Sequence, residues 1–137
     1  MSQQRLLVVE DDLSIASMLQ QVASEAGYDT AVATTSEKFM SLYAAFKPDI
    51  ITLDVLMPDM DGFDVLKYLQ EMNCTARIVL ISGSHQYRDM ASMMAKAQGL
   101  CIAGNISKPF RVPDLRKQLK RLNLQASEPR PSVVDAA

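Results

Sequence analysis

Three short, unbroken apolar runs constrain this chain more than anything else in it: Leu6-Leu7-Val8-Val9, Ile50-Ile51-Thr52-Leu53 and Ile78-Val79-Leu80-Ile81. None alternates apolar with polar residues, as a strand with one wet face would. Strands covered on both faces look like this, and a parallel sheet is the usual reason. A weaker run, Tyr28 to Ala33, predicts an edge strand, and another, Cys101 to Ile106, is interrupted by Gly104 and Asn105. Helix-length segments lie between them. Leu13 to Ala26 carries Ile15, Leu19, Val22 and Ala26 at helical spacing and stops at Gly27, a natural cap. Ser36 to Phe46 stops before Pro48, and Asp61 to Met72 carries Phe63, Leu66 and Leu69. Gln86 to Gln98 carries Met90, Met93, Met94 and Ala97, and Val112 to Leu122 carries Leu115, Leu119 and Leu122. The sum is five βα units. Right-handed crossovers put helices on both faces of such a sheet, which is a doubly wound α/β fold. Ligands of these folds bind at the carboxyl ends of the strands, so the functional question narrows to the residues there.

With 137 residues, 48% of them hydrophobic and 22% charged, the chain suits one globular domain. We expect that domain over 1–124, with 125–137, rich in Ser, Ala and Pro, as a tail or the start of a linker. The net charge of −2 gives no electrostatic case for nucleic-acid or membrane binding. No apolar run approaches the ~20 residues of a membrane helix, and the polar start does not resemble a signal peptide. Cys74 and Cys101 lack metal-ligand spacing, and each is expected to be a buried free thiol in a cytoplasmic protein.

The predicted strands end in chemistry. The first runs into Glu10-Asp11-Asp12, the third into Asp54, the fourth into Ser82-Gly83-Ser84 and the fifth into Ser107-Lys108-Pro109. Carboxylates within ~4–6 Å raise one another's pKa, and a cation must neutralise such a cluster. All-oxygen ligands with few protein donors favour Mg2+, which keeps several waters and also coordinates phosphate. Lys108 offers a compact positive donor to a phosphate oxygen and Ser82 a hydroxyl donor to another. Asp54 remains as nucleophile. Other residues have plainer readings: Asp12 as a cap of the first helix, His85 as a solvated residue at a helix start, and Met90, Met93 and Met94 as core filling, with partner contact the second reading. Arg111, Arg116, Lys117, Lys120 and Arg121 suit a helix C-terminus and solvent.

Glu10-Asp11-Asp12, then Asp54-Val55-Leu56-Met57-Pro58-Asp59-Met60-Asp61-Gly62, then Ser82 and Lys108-Pro109, resembles the receiver domain of bacterial two-component response regulators over about residues 5–122. The resemblance implies a (βα)5 flavodoxin-like sheet of strand order 2-1-3-4-5. It implies Asp54 as the phosphoacceptor, and Mg2+ on Glu10, Asp11, Asp54 and the backbone carbonyl of Leu56. Ser82 and Lys108 would contact the phosphoryl group, and the Lys108-Pro109 peptide would be cis. It further implies a non-enzymatic switch, supplied by a sensor histidine kinase or histidine phosphotransfer protein. A downstream protein or fused output domain would read it, or a second copy through the helix 4–strand 5–helix 5 face. Three residues before the lysine the family usually has Tyr or Phe, a ring that turns inward on activation; Asn105 stands there, so no ring switch is expected. The long stretch from Gly99 to Lys108 is similar to receivers that precede cyclic-dinucleotide phosphodiesterase domains.

Three other readings fit these residues less well. A haloacid-dehalogenase-type phosphatase needs a second Asp two residues after its nucleophile, where this chain has Leu56. A flavodoxin-like flavin binder needs a hydroxyl- and glycine-rich loop after the first strand, where this chain has three acids. A receiver kept only as an inactive scaffold would not need the complete set of acids, Ser82 and Lys108.

Overall fold

The computed structural model describes residues 3–57 and 61–125. Within them run β1 (Arg5–Val9), α1 (Leu13–Glu25), β2 (Asp29–Ala33), α2 (Ser36–Phe46) and β3 (Ile50–Asp54), followed by α3 (Gly62–Glu71), β4 (Arg77–Ser82), α4 (His85–Ala97), β5 (Cys101–Ser107) and α5 (Val112–Gln125). The five strands form one sheet in the order β2-β1-β3-β4-β5, every neighbouring pair parallel. The expected architecture and strand order are therefore found. The fully apolar runs are the three inner strands, because a helix layer covers each face. Leu7, Val9, Ile51, Leu53, Ile78 and Leu80 pack against Phe39 of α2, Leu66 and Leu69 of α3, and Ala91 and Ala95 of α4. Leu6, Val8, Ile50, Val79 and Ile81 face the other way, onto Leu19 and Val22 of α1 and Leu115 and Leu119 of α5. Successive strand residues thus feed opposite cores, as the two-residue period of a strand requires.

Local signals set most helix starts. Asp12 Oδ1 accepts from Ile15 N at 3.0 Å, Thr35 Oγ from Lys38 N at 3.2 Å, Asp61 Oδ1 from Phe63 N at 2.8 Å and Ser84 Oγ from Tyr87 N at 3.3 Å. Each satisfies a backbone donor that a helix leaves unpaired at its N-terminus. Gly27, at φ +98°, takes the left-handed conformation that ends α1. α5 runs past the expected stop at Leu122. Arg77, at the start of β4, donates from Nη1 to Leu122 O at 3.3 Å and from Nη2 to Gln125 O at 3.1 Å, capping carbonyls at the end of the helix. α5 thus includes Gln125, and the rest of the expected tail, 126–137, lies outside the described residues.

Three expectations are corrected. Cys74 is buried but Cys101 is exposed, because it opens an edge strand. Met90 and Met93 are 50% and 73% exposed on α4, and only Met94 packs against the core, so core filling holds for one of the three. No basic residue lies in the last turn of α5; Lys117, Lys120 and Arg121 sit in solvent, and Arg116 Nη2 pairs with Glu25 Oε2 of α1 at 3.2 Å. The interruption at Gly104-Asn105 is a bulge in a continuous strand. Ile78 pairs with Ile102 but Val79 pairs with Gly104, which leaves Ala103 as the extra residue.

Gly62 has a different task from a turn glycine. It is buried at the first position of α3, and a Cβ there would lie 2.5 Å from Val55 O and 2.7 Å from Val55 Cα. Both are backbone atoms of the residue after Asp54, so they have little room to yield. We predict that Gly62→Ala lowers the urea unfolding free energy by about 1–3 kcal/mol, the usual range for overpacking. An unchanged unfolding midpoint and slope would contradict this close approach.

Candidate functional site

Because β1, β3, β4 and β5 are successive neighbours in the sheet, their carboxyl ends meet. Glu10 and Asp11 follow β1, Asp54 ends β3, Ser82 ends β4, and Lys108 follows β5. Glu10, Asp54 and Ser82 are buried, and Asp11 is half-buried. Glu10, Asp11 and Asp54 bring one carboxylate oxygen each within 4.8 Å of one another. The Lys108 ammonium donates to Glu10 Oε1 at 2.8 Å and to Asp54 Oδ2 at 2.7 Å.

The remaining oxygens are also engaged. Glu10 Oε2 accepts from Asp12 N at 3.2 Å, and Asp54 Oδ1 from Leu56 N at 3.1 Å. Leu56 faces Asp61 across a single antiparallel bridge. Lys108 N donates to Ser82 O at 2.9 Å, and the Lys108-Pro109 peptide is cis, as expected. Ser82 Oγ accepts from Ser84 N at 3.0 Å, so its hydroxyl is bonded toward α4. Asp12 lies outside the carboxylate cluster and caps α1. His85 is the exposed first residue of α4.

Electrostatics separates the two charged partners. Burial, with the neighbouring Asp54 adding to it, pushes Glu10 from 4.5 up to about 7, against the opposing pull of Lys108 and the Asp12 N–H. With a folded pKa above the unfolded one, Glu10 favours folding below about 4.5, and that contribution is lost as pH rises through about 7. Burial disfavours the Lys108 ammonium, yet its bonds to Asp54 and Glu10 outweigh burial and raise its pKa. Three carboxylates against one ammonium leave room for a divalent cation. The donors are all oxygen, and half-buried Asp11 leaves space for water ligands, which fits Mg2+.

Sequence reasoning singled out every residue at this centre but missed a contact at its edge. Arg88 of α4 donates from Nη1 to Ser107 Oγ on β5, and its Nη2 lies 2.7 Å from His85 Nδ1. Nothing local signals the contact with Ser107, since it joins side chains on two elements.

The comparisons with known proteins agree with this geometry. The response regulator receiver domain model matches residues 6–120. The chain is 30% identical over 120 residues to the chemotaxis protein CheY of Thermotoga maritima, covering 87% of this chain and 97% of that protein. It is 30% identical over 126 residues to the alkaline phosphatase synthesis transcriptional regulatory protein PhoP of Bacillus subtilis, covering 90% of this chain and 50% of that protein, so it spans half of that longer relative. A solved response regulator from Colwellia psychrerythraea superposes with a TM-score of 0.79 at 29% identity, covering 90% of this chain and 99% of that one. Sheet order, strand-end chemistry and these likenesses converge, and the chain belongs to the response regulator receiver domain family of two-component signalling.

Proposed function

We propose that Asp54 is the phosphoacceptor of this domain, taking a phosphoryl group from the phosphohistidine of a sensor histidine kinase or phosphotransfer protein. The observation that carries this reading is the Lys108 ammonium held between Asp54 and Glu10 at 2.7 and 2.8 Å. Leu56 N holds Asp54 Oδ1 and fixes the carboxylate plane, while Oδ2 is held by an ammonium that can transfer to an incoming phosphoryl oxygen. As the P–N bond of the donor breaks, a bond from phosphorus to an Asp54 oxygen forms. Lys108 then balances a phosphoryl oxygen, and Ser82 turns its hydroxyl to another. Mg2+ bound by Glu10, Asp11, Asp54 and the Leu56 carbonyl would supply further charge neutralisation. Phosphoryl transfer needs mainly this kind of positioning and electrostatic help.

The output follows from where Ser82 is bonded. Its hydroxyl now accepts from Ser84, the residue that caps α4. Turning it to a phosphoryl oxygen releases that link and lets the loop of Gly83 and Ser84 move with the first turn of α4. No aromatic ring takes part, because Asn105 is exposed on β5 and has none. A coupling of ~1–3 kcal/mol is typical for such a two-state element. Met90 and Met93 give α4 an adaptable exposed surface for a downstream protein, a fused output domain or a second copy. No described helix is long and apolar enough to cross a membrane, and we assign the domain to the cytoplasm, where its phosphodonors reside.

Two outcomes test this reading. Asp54→Asn keeps the shape of the side chain and removes the nucleophile. Incubated with acetyl phosphate and Mg2+, the wild-type protein should gain one phosphoryl group by mass and the variant none; a full gain in the variant refutes the assignment. Asp11→Ala should weaken Mg2+ binding in a direct titration, whereas Asp12→Ala should mainly cost ~1 kcal/mol of stability through the lost cap. Equal loss of Mg2+ affinity in both would contradict the separation of ligand from cap.

A further inference from the structure

We propose that Arg88 is a positioning residue of the acidic site: reaching from α4 to the end of β5, it fixes Ser107 and, through it, the Lys108 ammonium. β5 is an edge strand, so its last residue, Ser107, has a sheet partner on one side only, Ser82. The bulge at Ala103 further interrupts the ladder that would otherwise hold the strand in line. The next residue is Lys108, whose side chain must meet Glu10 and Asp54 at 2.8 and 2.7 Å. Bonds of that length weaken steeply with small displacements. A restraint from outside the sheet therefore matters here, and Arg88 is the side chain that supplies it.

The chemistry suits arginine. One arm of the guanidinium, Nη1, donates to Ser107 Oγ. The other, Nη2, lies 2.7 Å from His85 Nδ1, one turn back on the same face of α4, and donates to it when the ring carries its proton on Nε2. A rigid planar fork spans two acceptors, which a single ammonium cannot do in the same way. Both acceptors are neutral side chains when His85 is unprotonated, so this contact selects a geometry rather than pairing charges. The first turn of α4 is thereby tied to the site twice: Ser84 N donates to Ser82 Oγ at 3.0 Å, and Arg88 holds the residue next to Lys108. Movement of α4 and placement of Lys108 become one event, which deepens the phosphoacceptor reading of Asp54 and rests on it only for its kinetic consequence.

The test reads Lys108 itself. In the metal-free, nitrogen-15-labelled protein, the Lys108 ammonium protons held by Glu10 and Asp54 should exchange slowly with water and give a resolved signal. Arg88→Ala and Ser107→Ala should each speed that exchange by roughly 5–10-fold, the worth of one net hydrogen bond. The double variant should go no further, because both changes remove the same contact. In a second arm, phosphoryl gain from acetyl phosphate with Mg2+ should slow by about 3–30-fold in each single variant, as a small misplacement of a positioned group does, and again no further in the double. Unchanged Lys108 exchange in both single variants, or effects that multiply in the double, would overturn the proposal. Should Arg88→Ala fail to fold, Ser107→Ala, which trims one hydroxyl, decides alone. A wild-type protein that gains no phosphoryl group would count against Asp54, while the ammonium arm would still judge Arg88.

Discussion

The Lys108 ammonium lies between two buried carboxylates, Glu10 and Asp54, and much of the molecule is arranged around that contact. Glu10 and Asp54 come from neighbouring strands, β1 and β3, and Lys108 arrives from the far edge of the sheet beyond β4. Charges can be held so far from water only when paired and hydrogen-bonded. Here every oxygen of Glu10 and Asp54 has a donor: Lys108 for one of each pair, and the N–H groups of Asp12 and Leu56 for the others. A third acid, Asp11, remains beside them with no share in the lysine. That imbalance leaves the cluster with more negative charge than Lys108 alone offsets.

The fold supplies precision where the chain alone could not. The inner strands, buried on both faces, are held by helices above and below, which fixes Asp54 and Ser82 at their ends. Gly62 lets α3 start against the backbone of Val55, the residue after Asp54. The weaker side is β5, an edge strand with a bulge, and it carries the lysine. Restraint is therefore least where the lysine enters the site. Ser84 ties the end of β4 and Arg88 the end of β5 to α4, on which Met90 and Met93 are exposed.

Much of this was legible in the sequence for identifiable reasons. Unbroken apolar runs announce a doubly covered sheet, and the acids, Ser82 and Lys108 stand at the ends of those runs, so the site follows once the fold is known. Caps such as Asp12 and Asp61 are local signals and were readable or nearly so. What escaped depends on contacts between distant elements. Arg77 lengthens α5 by reaching its last carbonyls from β4. The bulge at Ala103 is a property of the pairing with β4, so Gly104 and Asn105 looked like a break in the strand. Cys101 looked like core because exposure is decided by which strand lies at the edge. Met90 and Met93 share a helix with Met94 but not its face.

The account stands or falls on Lys108 as the cation that makes the acid cluster tolerable in the absence of metal. Lys108→Met removes the ammonium while keeping a long apolar stem. The direct measurement is the urea unfolding free energy of this variant and of the wild type at pH 8, above the value of about 7 that Glu10 has beside Lys108, first without and then with Mg2+. The account predicts a loss of a few kcal/mol without metal, as when one partner of a buried ion pair is removed, and a smaller gap with Mg2+, which takes over part of the neutralisation. A variant as stable as the wild type without metal would contradict it.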